Sequence, residues 1–155
     1  MTGATDGVVT DAFTASTFNT IMFHGLSKSA AANPAIYFGS TTIDTGTNYA
    51  SRGSLNGGAD ATDVSLGYGY LRDATQSISL DIFAIHYVVN MATEEKLDYC
   101  HYVTNQASGA GAAPARCEAI VKWANTSNQF DIVEHGSNGT ATDATDSNLT
   151  ILGTD

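Results

Sequence analysis

The two cysteines of the chain, Cys100 and Cys117, fall in one stretch, "DYCHYVTNQASGAGAAPARCE", which runs from Asp98 to Glu118. Such thiols can hold a metal, exchange electrons as a couple, or join two strands. A zinc site requires ligands in short spacings, and here there is no CxxC and only His101 lies nearby. The redox reading lacks the same motif. For the third, Lys96–Thr104 and residues 113–121 can form an antiparallel hairpin around the small-residue loop "NQASGAGA". With its centre between Ser108 and Gly109, residues whose numbers sum to 217 face each other, and Cys100 falls opposite Cys117. That register also sets Leu97 against Ile120 and Tyr99 against Glu118. Directly opposed residues of a non-hydrogen-bonded pair have Cα atoms about 4.5 Å apart, at the low end of the disulfide range. A bridge there would close a loop of about 17 residues and add about 3 kcal/mol. Two free, semi-buried thiols are the alternative.

The other reactive side chains do not fall into catalytic spacings. His24, His86, His101 and His135 form neither HxxxH nor HExxH, and His24 and His86 lie inside apolar runs, as core or interface histidines do. Glu94 and Glu95 sit just before an expected strand, where a solvated turn is the expectation. Asp60–Asp63 and Asp143–Asp146 lie among Thr and Asn; oxygen-rich loops can hold calcium, but no DxDxDG frame is present. There is no GxSxG, and "SLGYG" and "GGAD" lack the Lys-Ser/Thr of a phosphate loop. The expectation is a protein that is not an enzyme and needs no cofactor, with calcium as the one candidate ion. Tyr49, Arg52, Tyr68 and Tyr70 are the candidate ligand or partner contacts, since exposed aromatics stack on glycans or anchor proteins. The competing reading has Tyr99 and Trp123 bordering the core and the other tyrosines covering sheet edges. Asn125, Asn138 and Asn148 match the glycosylation sequon, which matters only where the source glycosylates.

The elements that must position these residues are strands. Expected strands cover residues 8–13, 17–26, 35–38, 68–72, 77–90, 96–104, 115–123, 129–134 and 148–152, separated by Gly, Ser, Asn and Asp clusters. Residues 39–63 read as loop, and no convincing amphipathic helix is present; "NMATEEKLDYC" is the best helical candidate and lacks a full apolar stripe. The run "SISLDIFAIHYVVN" is apolar on both faces after Asp81, so it needs cover on both: a second sheet on one side, a loop or neighbouring subunit on the other. About eight or nine strands predict an all-β fold, a single antiparallel β-sandwich of jelly-roll type. Residues 1–16 are expected to form an N-terminal arm with the first strand, the segment 1–10 lying across a neighbour, and residues 17–155 the sandwich domain.

The chain has 155 residues, is 43% hydrophobic, and carries sixteen acidic against six basic side chains, a net charge of −10. That is enough for one domain with a core, and it repels nucleic acid and anionic lipid. No apolar run reaches the roughly 18 residues of a membrane helix. The start "MTGATDGVV" lacks the basic and apolar regions of a signal peptide, so cytoplasmic synthesis is expected.

The C-terminal stretch "KWANTSNQFDIVEHGSNGTATDATDSNLTILGTD" resembles the closing segment of small β-sandwich virion proteins of tailed phages and related viruses. Upstream, "NPAIYFGSTTIDTGTNYASRGSLNGGADATD" is similar to the middle section of the same family, with a Gly/Asn-Tyr loop at 45–52 and an Asn-Gly-Gly turn at 56–58. The resemblance implies a jelly-roll head-decoration, fibre or tail-adhesin module on the virion surface. It implies copies of the chain itself as partners, a trimer first, and a major capsid or tail protein as the dock. A tail adhesin would bind a host glycan or receptor; an extracellular filament or surface-layer subunit is the further alternative. The lack of a coiled-coil stalk favours a capsid-surface or short appendage subunit over a long fibre.

Overall fold

The structure is a computed structural model that describes residues 7–26, 33–71, 81–105, 109–138 and 146–155. These residues form twelve strands and no helix. In chain order they are β1 (Gly7–Val9), β2 (Phe18–Leu26), β3 (Pro34–Ser40), β4 (Thr42–Ile43), β5 (Tyr49–Leu55) and β6 (Ala61–Leu66). Then come β7 (Gly69–Tyr70), β8 (Asp81–Val89), β9 (Lys96–Thr104), β10 (Ala115–Trp123), β11 (Ile132–Ser137) and β12 (Asn148–Thr154). A seven-stranded sheet runs β12-β2-β8-β9-β10-β5-β6, and a five-stranded sheet runs β1-β11-β3-β4 with β7 also on β3. All pairings are antiparallel. The chain passes repeatedly from one sheet to the other, so the all-β antiparallel sandwich stands, with more strands than the eight or nine expected.

The extra strands come from residues 39–63, read from sequence as loop but folded here into β4, β5 and the start of β6. The inward positions of β5 are Tyr49, Ser51 and Gly53, which give no apolar alternation to detect. Ser51 and Gly53 are small where β7 crosses above them: Tyr70 N donates to Ser51 Oγ at 2.9 Å. A Cβ on Gly69 would lie 2.5 Å from Val121 Cγ1 and 2.8 Å from Ile36 Cγ2, so only glycine lets β7 approach this closely. The turn from β5 to β6 uses Asn56 and Gly57 at φ of 52° and 75°, closed by Gly58 N on Leu55 O at 2.9 Å. Positive φ at both central residues is the Asn-Gly hairpin geometry.

The interior between the sheets is aromatic at one end. Phe38 lies 4.8 Å from Phe130 and 6.1 Å from Trp123, centroid to centroid. Asp44 holds the β4–β5 loop to that cluster by accepting from Trp123 Nε1 at 2.7 Å, Asn48 Nδ2 at 2.9 Å and Gly46 N at 2.8 Å. Burial acts to raise the Asp44 pKa, but these three donors outweigh it and hold the carboxyl below its usual value.

The remaining expected strands shift at their ends. The first is β1, Gly7–Val9, though Thr10 N and Phe13 N still bond Val133 O and Asp131 O. Residues 7–13 thus bond β11 of the same chain and Asp131 just before it; residues 1–6 of the expected arm lie outside the described residues. The strand expected at 129–134 is β11, three residues later. Arg72 and residues 77–80, expected to extend β7 and β8, also lie outside the described residues.

Candidate interaction surface

The hairpin of β9 and β10 forms over the expected residues, but opposed residues sum to 219, not 217. Cys117 therefore faces Tyr102, and Cys100 faces Ala119. The expected bridge is not formed: both thiols are buried on the inward face, and Cys117 Sγ donates to Leu71 O at 3.1 Å. A shift of two residues keeps every side chain on its face, so the period-2 pattern cannot tell the two registers apart. The turn decides: Gly109 adopts φ of 89° and Ala112 N reaches Gly109 O at 3.4 Å, which moves the centre by one position.

The inward face of β8 and β9 carries a polar chain that the sequence did not reveal. His86 Nδ1 lies 2.8 Å from Asp98 Oδ2, and His86 Nε2 lies 3.6 Å from Cys100 Sγ. The order Asp–His–Cys is that of a nucleophilic triad, but His86, Asp98 and Cys100 are sealed between the sheets. Burial first, then the charge of Asp98 and the neighbouring Cys117, pushes the Cys100 thiol well up. A nucleophilic cysteine needs the opposite environment, lowered pKa and access. From the small sheet, His135 stacks on Phe23 at 3.7 Å and meets His86 edge-on at 5.6 Å. Neither ring nitrogen of His135 has a hydrogen-bond partner among the described residues. Burial, then the proximity of His86, drives its pKa well below the usual histidine value.

The candidate contact residues scatter. Tyr49 is a core residue and cannot meet a ligand: its hydroxyl accepts from Phe38 N at 2.9 Å and lies 3.0 Å from Phe38 O and 3.1 Å from Asp44 O. Tyr68 and Tyr70 do come together, edge to face at 6.1 Å, with Tyr37 6.1 Å from Tyr68. They are half-buried, and Tyr68 Oη accepts from Asn138 Nδ2 at 3.0 Å. Arg52 points outward from the other sheet and pairs with Asp60 at 3.3 Å. Of the acidic pairs considered for calcium, Asp60 is thus matched by a cation, and Asp143 lies outside the described residues. No group of three or more His, Cys, Asp or Glu side chains converges on a metal position among the described residues.

What the structure does assemble is a surface. The outward residues of β2, β8, β9 and β10 align in cross-strand rows. One row reads Phe18, Val89, Leu97, Lys122; the next reads Thr20, Tyr87, Tyr99, Ile120. A third reads Met22, Ile85, His101, Glu118, and the last His24, Phe83, Val103, Arg116. Leu152 of β12 extends the second row beyond Thr20. Tyr87 is 55% exposed, Leu97 52%, Tyr99 43% and Ile120 41%. Trp123 borders the core as expected, whereas Tyr99 points away from it. A shallow recess between Phe18, Tyr87, Val89 and Leu152 lies within this face.

β9 shows how unusual the arrangement is. It turns Lys96, Asp98, Cys100, Tyr102 and Thr104 into the sandwich and Leu97, Tyr99, His101 and Val103 out of it, so three polar side chains lie inside while three large apolar ones are exposed. Lys96 is accommodated because Nζ donates to Glu94 O at 2.8 Å and Asn125 O at 2.6 Å, and lies 5.7 Å from the Trp123 ring centre. Burial lowers its pKa, with Glu94 opposing. Leu97, Tyr99 and Val103 are thus left on the outer face of the sheet, 43–52% exposed, within contiguous apolar rows. No family, no curated protein and no solved structure matches this chain.

Proposed function

We propose that this chain is a non-enzymatic structural subunit of a virus particle, one that self-associates and docks on the particle surface. The observation that carries the reading is the outward apolar face of the seven-stranded sheet, with Tyr87, Leu97, Tyr99, Val103 and Ile120 exposed on it. Contiguous apolar surface of this kind marks a protein interface. The inward reactive groups, His86, Asp98 and Cys100, act as packed structure in this reading, because substrate has no route to them. The resemblance of the C-terminal and middle segments to phage β-sandwich modules supplies the particle.

A second reading, a glycan- or receptor-binding module, is favoured by the half-buried cluster of Tyr37, Tyr68 and Tyr70. The experiment that separates the two is quantitative mass spectrometry of density-gradient-purified particles from a culture that produces the chain. A structural subunit co-migrates with the capsid protein at many copies per particle. A chain that stays in the soluble fraction refutes the particle assignment.

A further inference from the structure

We infer that the outer face of the seven-stranded sheet binds a second copy of this chain, face on face, through the rows built around Tyr87, Tyr99 and Ile120. The inference deepens the structural-subunit reading above and rests on it.

Three observations select a second copy over other occupants. The first is shape and size. The face is a twisted sheet, and sheets pack on sheets about 10 Å apart with aligned or orthogonal strands. Five strands from β12 to β10, at about 4.8 Å spacing, and four outward rows about 6.7 Å apart give a footprint of about 650 Å² per copy. Two copies would bury about 1,300 Å², inside the range of specific stable interfaces.

The second is charge. The net charge is −10, so two copies repel wherever their acidic surfaces meet. The outward strand residues of these five strands carry two cations, Arg116 and Lys122, and two anions, Asp81 and Glu118. Their charges balance, so the face itself adds no net repulsion when two copies meet. Its charges are also matched locally: Lys122 with Glu95 at 3.1 Å, His101 with Glu118 at 2.9 Å and Arg52 with Asp60 at 3.3 Å. Cations already paired in this way leave little to recruit nucleic acid or another polyanion.

The third is the placement of polar atoms. The face is apolar across Tyr87 and Tyr99 at its middle strands, and its charged residues lie at the margins: Arg116, Glu118 and Lys122 along β10 beside Ile120, and Asp81 at the end of β8. An apolar centre with a polar rim is the anatomy of a protein interface. A flat face that meets its own copy does so about a two-fold axis, so the contact makes pairs. It thus replaces the trimer implied by resemblance with a dimer as the basic unit.

The test is sedimentation equilibrium of the full chain from about 1 to about 100 µM. The wild type is expected at twice the 16.1 kDa chain mass, with little dependence on salt. Tyr87→Lys and Ile120→Lys should each weaken the dimer by at least about 100-fold, as loss of a central anchor does. Val9→Lys, an exposed site on the other sheet, should leave it intact. Replacing Tyr87 with a benzophenone amino acid should capture residues 81–104 of a second copy on irradiation, a readout independent of how the lysine variants fold. A monomeric wild type, a dimer indifferent to both lysines, or capture only through the five-stranded sheet overturns the inference. A monomer found at many copies on particles refutes the face alone; a dimer absent from particles refutes the particle reading alone.

Discussion

His135 should make this protein lose stability in mild acid, and the size of the loss can be worked out. The imidazole is buried, stacked on Phe23 at 3.7 Å and set against His86 at 5.6 Å. Its pKa in the fold lies well below the usual value because burial and then His86 disfavour the cation. In the unfolded chain it titrates near about 6.5. The sign follows from linkage: below that pH the unfolded state binds a proton that the native state refuses, so stability falls as pH falls. Above it both states are neutral, and the group contributes no pH dependence. Between pH 7.5 and pH 5.5 the loss is about 1.4 kcal/mol, which for a chain of this length is about 3–6 °C in Tm. His135→Phe keeps a ring against Phe23 and removes the titration. Differential scanning calorimetry of wild type and variant at both pH values isolates the term, because His24, His86, His101 and the carboxylates are common to both proteins. The variant should show a loss smaller by about 1.4 kcal/mol. Parallel losses in the two proteins would mean that His135 is protonated or solvated in the fold, and the argument from its sealed position would fail.

Two further outcomes follow from the buried polar groups. Lys96→Met should destabilise by about 2–4 kcal/mol in urea titration, because the carbonyls of Glu94 and Asn125 each lose their ammonium donor inside the fold. A loss under about 0.5 kcal/mol would show that water replaces it. Cys100 and Cys117 should fail to react with a chromogenic disulfide reagent until denaturant is added, and intact mass should be unchanged by reductant. Prompt reaction of either thiol in the native protein would contradict their burial.

The parts of this fold legible in sequence are those where side-chain alternation is strong. β9 and β10 fall on Lys96–Thr104 and Ala115–Trp123 as expected, because side chains alternate along each and the loop between them is rich in Gly, Ser and Ala. β5 was illegible for the converse reason: Ser51 and Gly53 face inward under the crossing of β7, a tertiary demand with no local signature. The register of the hairpin was out of reach because a shift of two leaves the facing pattern unchanged, and the turn at Gly109 settles it. The outer face was partly legible. "DIFAIHYVV" declares that both sides of β8 need cover. Which side the second sheet covers depends on partners for His86, Asp98 and Lys96 that come from distant segments.

That last point bears on why the strands face as they do. Turning β9 over would bring Leu97, Tyr99, His101 and Val103 into the sandwich and send Lys96, Asp98 and Thr104 to water, but would also expose the core residues Cys100 and Tyr102. The observed facing is held by specific pairing: Asp98 meets His86 on the neighbouring strand, and Lys96 reaches the carbonyls of Glu94 and Asn125. None of those partners is available on the outer side of the sheet. The pairing is not complete, since Asp98 Oδ1 and Thr104 Oγ1 have no hydrogen-bond partner among the described residues. The turn at Gly109 sets the register of the hairpin, and the buried polar pairs of His86, Asp98 and Lys96 then favour one facing of β9 over the other.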